Sequence, residues 1–295
     1  MPRIETLLCP VDFSDFSVNA YDYARSLAWH YKARLLLQHI LDPFYISSSA
    51  YGGNTASFEK SCRQLSTDAE QKLQRFVKRH AQTMIRPQCL VQDGSVPDLI
   101  LSLAEAEAVN LIVMGTHGLR GIDRLMLGSV TEKVLRRARC PVLAVRSPAP
   151  LGSGSVRDPE PVHLGKIILC SDFSDHAHRA AEYAVSMAKE YAAELVLLHV
   201  IENFRSARDL QIATIEALKQ LNQSVSSEQC GGCNVSSLVR VGKPYQQIIQ
   251  LTLETQADVV ILGVRGRGAL DTALFGSTTY RVIELGSCPV LAVHI

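Results

Sequence analysis

Short apolar runs alternate with stretches of helical periodicity along the whole chain. After the first apolar run, Ala20, Ala24, Leu27 and Ala28 recur at the spacing that places them on one face of a helix. The same pattern in the first 146 residues predicts five strands that alternate with four helices. The predicted strands are 6–11, 34–40, 86–92, 110–114 and 141–145, and the predicted helices are 17–30, 57–83, 97–108 and 129–139.

The strands read as fully buried rather than half-buried. Residues 111–114 and 259–262 are apolar at every position, without the in-and-out alternation of a strand that has one solvated face. Strands that alternate with helices form βαβ units, whose right-handed crossovers place helices on both faces of a parallel sheet. The predicted fold class is therefore α/β with a parallel sheet.

The chain contains this pattern twice. Tyr23 and Tyr183 lie 160 residues apart, each preceded by the sequence Asp-Phe-Ser-Asp, whereas Gly94 and Gly242 lie 148 residues apart. The second copy is therefore 12 residues shorter, and the deletion falls after His199 and before Gly242. We expect one domain over residues 1–146, a linker rich in Pro, Gly and Ser over 147–163, and a second domain over 164–295.

Composition narrows the class of protein. The formal net charge of +1 over 295 residues gives no electrostatic footprint for nucleic acid. No apolar run approaches the roughly 20 residues that span a bilayer, and the N-terminus lacks a signal-peptide profile. We therefore expect a cytoplasmic protein without nucleic-acid or membrane partners. Four of the cysteines lie in or beside predicted strands and are interpreted as buried thiols: Cys9, Cys140, Cys170 and Cys288.

A glycine pattern follows the fourth strand of each copy. Gly115, Gly118 and Gly128-Ser129 form the first occurrence, and the second begins at Gly263 with the same spacing. Glycine allows the backbone to approach a ligand closely. The N–H groups that open a helix have no intrahelical partner and favour anions. The pattern therefore predicts a phosphate-binding loop in each half.

An acidic residue stands at the matching place after the first strand of each copy, Asp12 and Asp172. Ligands of open α/β sheets bind beyond the carboxyl ends of the strands, where the strand order reverses. If the first and fourth strands are neighbours there, the acidic residue and the glycine loop face one crevice. The carboxylate can then accept hydrogen bonds from ribose hydroxyls or help to hold a magnesium ion.

Taken together, these motifs resemble the universal stress protein family, as a tandem member of its ATP-binding branch. The resemblance lies in 10–12, 38–40, 111–118, 128–131 and 140–145 with their counterparts in the second half, and it covers nearly the whole chain. It implies an adenine nucleotide alpha hydrolase-like, Rossmann-like fold: two five-stranded parallel sheets of order 3-2-1-4-5 with helices on both faces. It also implies ATP with magnesium as cofactor and a role in the stress response.

The resemblance also assigns a binding site in each half. In the first half, it assigns Val11, Asp12 and Ile40 to adenine and ribose, and Gly115, His117, Gly118, Gly128, Ser129, Val130 and Thr131 to the phosphates. In the second half, the corresponding residues are Ser171, Asp172, Val200, Gly263, Arg265, Gly266, Gly276, Ser277, Thr278 and Thr279.

The second half departs from the family pattern at two places. Cys170-Ser171 replaces Pro10-Val11, and Arg265 replaces His117. A polar serine beside the base weakens an apolar pocket, whereas an additional cation either holds phosphate more tightly or projects into water. The first half is therefore expected to be the better nucleotide site.

Three functions remain open from the sequence. The first is an ATP-binding regulator of the stress response. The second is a slow ATP hydrolase or phosphotransferase, at most a weak ATPase because a Walker-type lysine motif is missing, and no catalytic residue is assigned. The third is a nucleotide-free interaction or zinc-binding module that uses Cys230 and Cys233, a weak metal candidate because a closed zinc site needs four ligands.

The family resemblance also implies how the halves assemble. The last strand of one domain pairs with its counterpart in another, and exposed edge strands favour such pairing. Strands 140–145 and 288–293 can therefore pair inside one chain as a pseudo-dimer. Two chains can associate further into a homodimer, although the sequence does not set the number.

Overall fold

The computed structural model describes residues 3–42, 55–80, 85–118, 126–146, 162–225, 228, 230–264 and 276–294, with the backbone alone for residues 55–62. In the first half, strands alternate with helices as the sequence predicts. The strands are β1 (Thr6–Pro10), β2 (Arg34–Leu41), β3 (Gln88–Asp93), β4 (Leu111–Gly115) and β5 (Val142–Val145). The helices are α1 (Asp15–Tyr31), α2 (Thr55–Arg79), α3 (Val96–Ala106) and α4 (Ser129–Arg137).

The second half repeats this order. Its strands are β6 (Lys166–Cys170), β7 (Glu194–Ile201), β8 (Val235–Val241), β9 (Val259–Gly263) and β10 (Val290–Val293). Its helices are α5 (Asp175–Tyr191), α6 (Ala207–Ser224), α7 (Pro244–Thr255) and α8 (Ser277–Leu285). None of the described helices combines the length and the apolar character needed to cross a bilayer.

The strand order of each half is 3-2-1-4-5, and this prediction is confirmed. All neighbours within a half are parallel, and the full sheet has the order β3-β2-β1-β4-β5-β10-β9-β6-β7-β8. The central pair, β5 and β10, is antiparallel, with Leu143 opposite Leu291. One ten-stranded sheet therefore runs through both halves.

Helices cover both faces of this sheet, so each face carries its own core. Alternate residues of β1 show the division, because Leu7 packs on the face covered by α1, α2, α5 and α6, whereas Leu8 packs on the opposite face. Each of these two cores contains residues from both halves, including residues of β5 and β10. The seam between the halves is therefore buried on both sides.

Two basic side chains cross this seam in a reciprocal way. Arg146, directly after β5, donates from Nη1 to the carbonyls of Glu284 (2.8 Å) and Gly286 (2.9 Å) at the end of α8. His294, directly after β10, donates from Nε2 to the carbonyl of Leu135 in the last turn of α4 (2.7 Å). Cations and donors at helix C-termini satisfy carbonyls that lack an intrahelical partner. Each half therefore caps a helix of the other.

Some boundaries differ from the predicted ones for local reasons. Helix α1 begins at Asp15 rather than at residue 17, because the Ser14 side chain accepts a hydrogen bond from the Ser17 N–H and forms an N-cap. Helix α3 ends at Ala106, two residues earlier than predicted, and Ala108 has a left-handed φ of 48°. A residue in that region cannot continue a right-handed helix.

Candidate functional site

The two loops predicted to form the site meet at one edge of the sheet. Strands β1 and β4 are parallel neighbours, with Leu7 beside Leu111 and Leu8 beside Ile112. Their carboxyl ends therefore open at the same edge, between β2 on one side and β5 on the other. This is the point where the strand order reverses, and crevices of this kind bind ligands in open α/β sheets.

The loop after β4 touches the carboxylate after β1. A Cβ added at Gly118 would lie only 2.6 Å from Asp12 Oδ2, a distance that side chains do not tolerate. The other carboxylate oxygen, Oδ1, accepts hydrogen bonds from the Ser14 N–H (3.0 Å) and hydroxyl (2.6 Å). Asp12 is therefore held at the start of α1, with Oδ2 facing a backbone segment that has no side chain.

A histidine on β2 holds the loop after β1. His39 Nδ1 donates to the Val11 carbonyl at 2.8 Å, and its ring lies 4.5 Å from the ring of Phe13. Burial lowers the pKa of His39, whereas the hydrogen bond to Val11 raises it in part. Phe13 has a left-handed φ of 66°, which costs of order 1–3 kcal/mol and is found mainly at functional sites. His39 thus positions the loop.

The second half repeats this arrangement. Phe173 has a φ of 63°, its ring lies 4.5 Å from the ring of His199, and His199 Nδ1 donates to the Ser171 carbonyl at 2.8 Å. Asp172 Oδ1 accepts from the N–H of Ser174 at 3.0 Å, as Asp12 does from Ser14. Both copies therefore hold the acidic residue in the same way, although Asp172 is exposed where Asp12 is half-buried.

The glycines of the pattern have different structural roles. A Cβ at Gly115 would lie 2.9 Å from the carbonyl group of Phe16, and a Cβ at Gly263 would lie 2.3 Å from that of His176. These glycines allow the fourth strand to pack against the first turn of the helix that follows the first strand. Gly118, by contrast, faces the carboxylate, and Gly266 lies outside the described residues together with Arg265.

Helix α4 begins in the manner of an anion site. Its N-cap, Gly128, is extended (φ −61°, ψ 136°) and has no side chain with which to cap the first N–H groups. The Gly128 N–H donates to the Thr116 carbonyl at 2.9 Å, which folds the start of the helix against the end of β4. Ser129 is exposed and Val130 half-buried at this end. The N–H groups of the first turn therefore have no intrahelical partner and lie close to the end of β4.

Two side chains predicted at the phosphates are buried in this structure. Thr131 is buried, and its hydroxyl donates to the Gly115 carbonyl at 2.8 Å. His117 is 5% exposed, with its ring 4.8 Å from that of Phe16. Burial lowers the pKa of His117, and the charge of Arg146 lowers it further, against an opposing contribution from the Met126 backbone. In this structure, therefore, these two side chains brace the loop.

The start of α8 matches that of α4. Gly276 is an extended N-cap without a side-chain hydrogen bond (φ −48°, ψ 124°), and Ser277 is exposed. Thr278 is half-buried, whereas Thr279 is buried like its counterpart Thr131. Among the described residues, a Cβ at Gly276 would have the Thr279 hydroxyl as its nearest neighbour, at 3.8 Å.

The residues predicted beside the base lie at the ends of β1 and β2. Val11 is buried, whereas Ile40 is half-buried at the far end of β2. In the second half, Ser171 and Val200 are both half-buried, and Ser171 Oγ accepts from the Phe173 N–H at 3.2 Å. The Ser171 hydroxyl therefore already has a hydrogen-bond partner within its own loop.

Gln38 was missed from the sequence. It is fully buried on β2, and its Nε2 donates to Gln92 Oε1 (2.7 Å) and to the Leu99 carbonyl (3.2 Å). Its Oε1 is buried without a hydrogen-bond partner among the described residues. Most buried polar atoms have a hydrogen-bond partner. A glutamine amide within an otherwise apolar strand could therefore have indicated a buried polar contact at this position. The second half has Leu198 at this place.

The two closely spaced cysteines lie far along the chain from these loops, in the turn between α6 and β8. Cys230 is fully buried and Cys233 is half-buried. Within the described ranges, no group of three or more His, Cys, Asp or Glu side chains is placed to hold a metal ion. The predicted thiols Cys9 and Cys170 are buried in their strands, whereas Cys140 and Cys288 are half-buried beside β5 and β10.

Comparison with known proteins gives a consistent family. The sequence model of the universal stress protein family matches residues 3–146 and again residues 163–294. Universal stress protein MJ0531 of Methanocaldococcus jannaschii is 31% identical over 144 residues, which cover 48% of this chain and 82% of that protein. A universal stress protein of Mycolicibacterium smegmatis is 24% identical over 300 residues and covers 98% of this chain and 96% of its own length.

A solved structure has the same overall fold. The crystal structure of a universal stress protein from Archaeoglobus fulgidus superposes with a TM-score of 0.67 at 21% identity, over 98% of each chain. At this identity the likeness concerns the fold, which here includes both halves.

Proposed function

The chain belongs to the universal stress protein family, and we propose that it is an ATP-binding regulator of the stress response with a nucleotide site in each half. One observation carries the proposal. Gly118 lies against Asp12 Oδ2, so that the phosphate loop and the acidic residue share one crevice. The uncapped start of α4 opens beside them.

The described residues fit a nucleotide. A Cβ at Gly118 would fill the space beside the carboxylate, and an uncapped helix start supplies unpaired N–H groups for phosphates. We propose that Val11 and Ile40 contact adenine and that Asp12 accepts from ribose hydroxyls or holds the magnesium ion. When bound, magnesium would neutralise part of the phosphate charge.

At the phosphates, we propose that backbone groups provide most of the hydrogen-bond donors. The first-turn N–H groups of Ser129, Val130 and Thr131 supply the donors, and Ser129 adds an exposed hydroxyl. The Thr131 hydroxyl already donates its hydrogen bond to the Gly115 carbonyl. The corresponding donors in the second half are those of Ser277, Thr278 and Thr279, and we propose that Arg265 and Gly266, which precede them in the sequence, contribute there as well.

We expect the second site to be the weaker one. Beside the proposed adenine position, the second half has Ser171 where the first half has the buried Val11. Asp172 is exposed to water. A hydrated carboxylate loses more solvation on contact with a ligand, and a polar side chain in an apolar pocket reduces the gain from burying the base.

As a regulator, the chain would act through the affinity difference of ATP for two conformational states. We place this activity in the cytoplasm and propose that residues 1–146 and 164–295 act as two domains joined by a 147–163 linker. The antiparallel β5–β10 pair supports an internal pseudo-dimer, and a homodimer of chains is a further proposal.

The test removes one backbone N–H from each phosphate loop. Ser129→Pro and Ser277→Pro delete the first-turn donor, and proline is well tolerated at the first helical position. The preceding glycines are extended in both helices, as a residue before proline must be. Ser129→Ala and Ser277→Ala are matched controls, because they keep the N–H and remove only the hydroxyl.

The measurement is adenine nucleotide released per chain on denaturation, with calorimetry of ATP and magnesium binding to the stripped protein. We expect a ratio near two that falls by one in each proline variant, with the alanine variants close to the parent. A ratio near one that only Ser129→Pro abolishes would restrict function to the first half. No nucleotide and no ATP binding would overturn the proposal.

A further inference from the structure

The turn before β8 brings two thiols together. Cys230 and Cys233 are the first and last residues of a four-residue turn, in which the Cys233 N–H donates to the Cys230 carbonyl at 3.4 Å. Between them, Gly231 and Gly232 have φ values of 66° and 90°, the signs required by a type I′ turn. Only glycine adopts two such values in succession without strain.

This turn has the span of a disulfide. The end residues of a β-turn have Cα atoms less than about 7 Å apart, and disulfides join Cα atoms about 4.4–6.8 Å apart. Closing a bond between the two thiols therefore requires little movement of the backbone.

The two thiols differ in access. Cys233 is half-buried and its Sγ donates to the Ala188 carbonyl, 3.3 Å away in the last turn of α5, whereas Cys230 is fully buried. The Ala188 carbonyl also accepts from the Ala193 N–H at 2.9 Å. It therefore remains satisfied if Cys233 loses its proton, and the end of α5 keeps its hydrogen bond.

A lysine lies over the same turn. A Cβ at Gly231 would lie 2.8 Å from Lys189 Cε, so the lysine side chain covers the glycine between the thiols. Burial raises the pKa of Cys230 and Cys233 raises it further, whereas Lys189 lowers it. Lys189 therefore offsets part of the rise in the pKa of Cys230, and the thiolate is the form that reacts.

The first half has no such pair. At the offset of 148 residues that relates the two copies here, Ile85 stands where the second half has Cys233, and both side chains pack against the same core. An aliphatic residue thus satisfies the packing at this place. The fold therefore does not require the thiol pair, which is present in the second half alone.

We propose that Cys230 and Cys233 form a dithiol site that reacts with low-molecular-weight disulfides. The Cys233 thiolate attacks one sulfur of the disulfide and forms a mixed disulfide, releasing one thiolate. The Cys230 thiolate then attacks the Cys233 sulfur, closes the Cys230–Cys233 bond and releases the second thiolate. The two protons lost by the protein convert these thiolates into thiols, so that the protein is oxidised by two electrons and the small disulfide is reduced.

The test uses the full chain in mixtures of oxidised and reduced glutathione. After equilibration, the chain is denatured in the presence of the alkylating reagent, so that buried thiols react as well, and the peptide with both cysteines is analysed by mass spectrometry. We expect loss of both alkylation sites together, a peptide two hydrogen atoms lighter, and complete recovery with dithiothreitol. Cys89, a half-buried thiol on β3, is the control that takes at most a glutathione adduct.

Two variants test the order of attack. Cys230→Ser should accumulate glutathione on Cys233, because the resolving thiol is missing, whereas Cys233→Ser should react far more slowly, because Cys230 is buried. Circular dichroism checks that both variants are folded. If either variant does not fold, the experiment on the parent chain still tests the proposal. Persistent alkylation of both thiols in oxidising mixtures would overturn the proposal. So would a glutathione adduct that never closes, or stoichiometric zinc that both variants lose.

Discussion

Among the described glycines of the pattern, Gly263 has the closest approach, and it leads to a stability prediction. A Cβ at Gly263 would lie 2.3 Å from both the carbonyl carbon and the oxygen of His176, and 2.7 Å from the Ala177 nitrogen. All three are backbone atoms in the first turn of α5, so no side-chain rotation relieves the contact. In Gly263→Ala, either β9 or the start of α5 must move.

The size of the effect follows from this geometry. Carbon atoms in contact lie about 3.5–4.0 Å apart, so the movement exceeds one ångström. Overpacking of a dense core costs about 1–3 kcal/mol, and we expect the upper part of that range. With an m-value of about 2 kcal/mol/M in urea, the unfolding midpoint of the second half should fall by about 1–1.5 M.

Gly276→Ala is the matched control, because it makes the same change in the same half. Among the described residues, its new Cβ has its nearest neighbour at 3.8 Å, and alanine in place of glycine at an N-cap costs about 0.5–1 kcal/mol. Gly115→Ala, with a contact of 2.9 Å to Phe16, should lie between the two.

The assay is urea unfolding followed by far-UV circular dichroism on nucleotide-free protein, so that lost binding cannot mimic lost stability. The single tryptophan, Trp29 on α1, reports separately on the first half through its fluorescence. If Gly263→Ala were as stable as Gly276→Ala, the close strand–helix packing would be refuted as the reason for this glycine.

Two further predictions concern the seam and pH. Arg146→Ala removes both hydrogen bonds to α8 and should lower the unfolding free energy by about 1–3 kcal/mol, because hydrogen bonds to charged groups contribute about 1.5–3 kcal/mol each and exposure to water reduces that contribution. Arg146→Lys should recover part of the lost free energy. An unchanged urea midpoint in Arg146→Ala would contradict the capping role. Burial lowers the pKa of His39 and of His294, so the unfolded chain binds these protons first, and stability should fall as pH decreases below about 6.5. Urea midpoints measured between pH 7.5 and 5.5 test this, with His294→Gln, which can still donate to Leu135, expected to fall less steeply.

Sequence reasoning predicted which loops meet, but it did not predict the directions of their side chains. The Asp12 loop and the glycine loop meet as predicted, because parallel neighbours end at one edge of a sheet. The direction of the His117 and Thr131 side chains was not readable. Both are polar residues in a polar loop, and their inward packing depends on Phe16 and Gly115, which are close only in the folded chain.

What the sequence by itself determined was the fold class and its duplication. Helical periodicity and uniformly apolar strands are local properties, and the repeat of the glycine pattern is visible without any structure. Only the tertiary structure decided that Gly115 and Gly263 serve packing while Gly118 faces a carboxylate, and that Arg146 and His294 cap helices across the seam. These contacts join residues that are distant along the chain, and the sheet brings them together through pairings that local patterns do not encode.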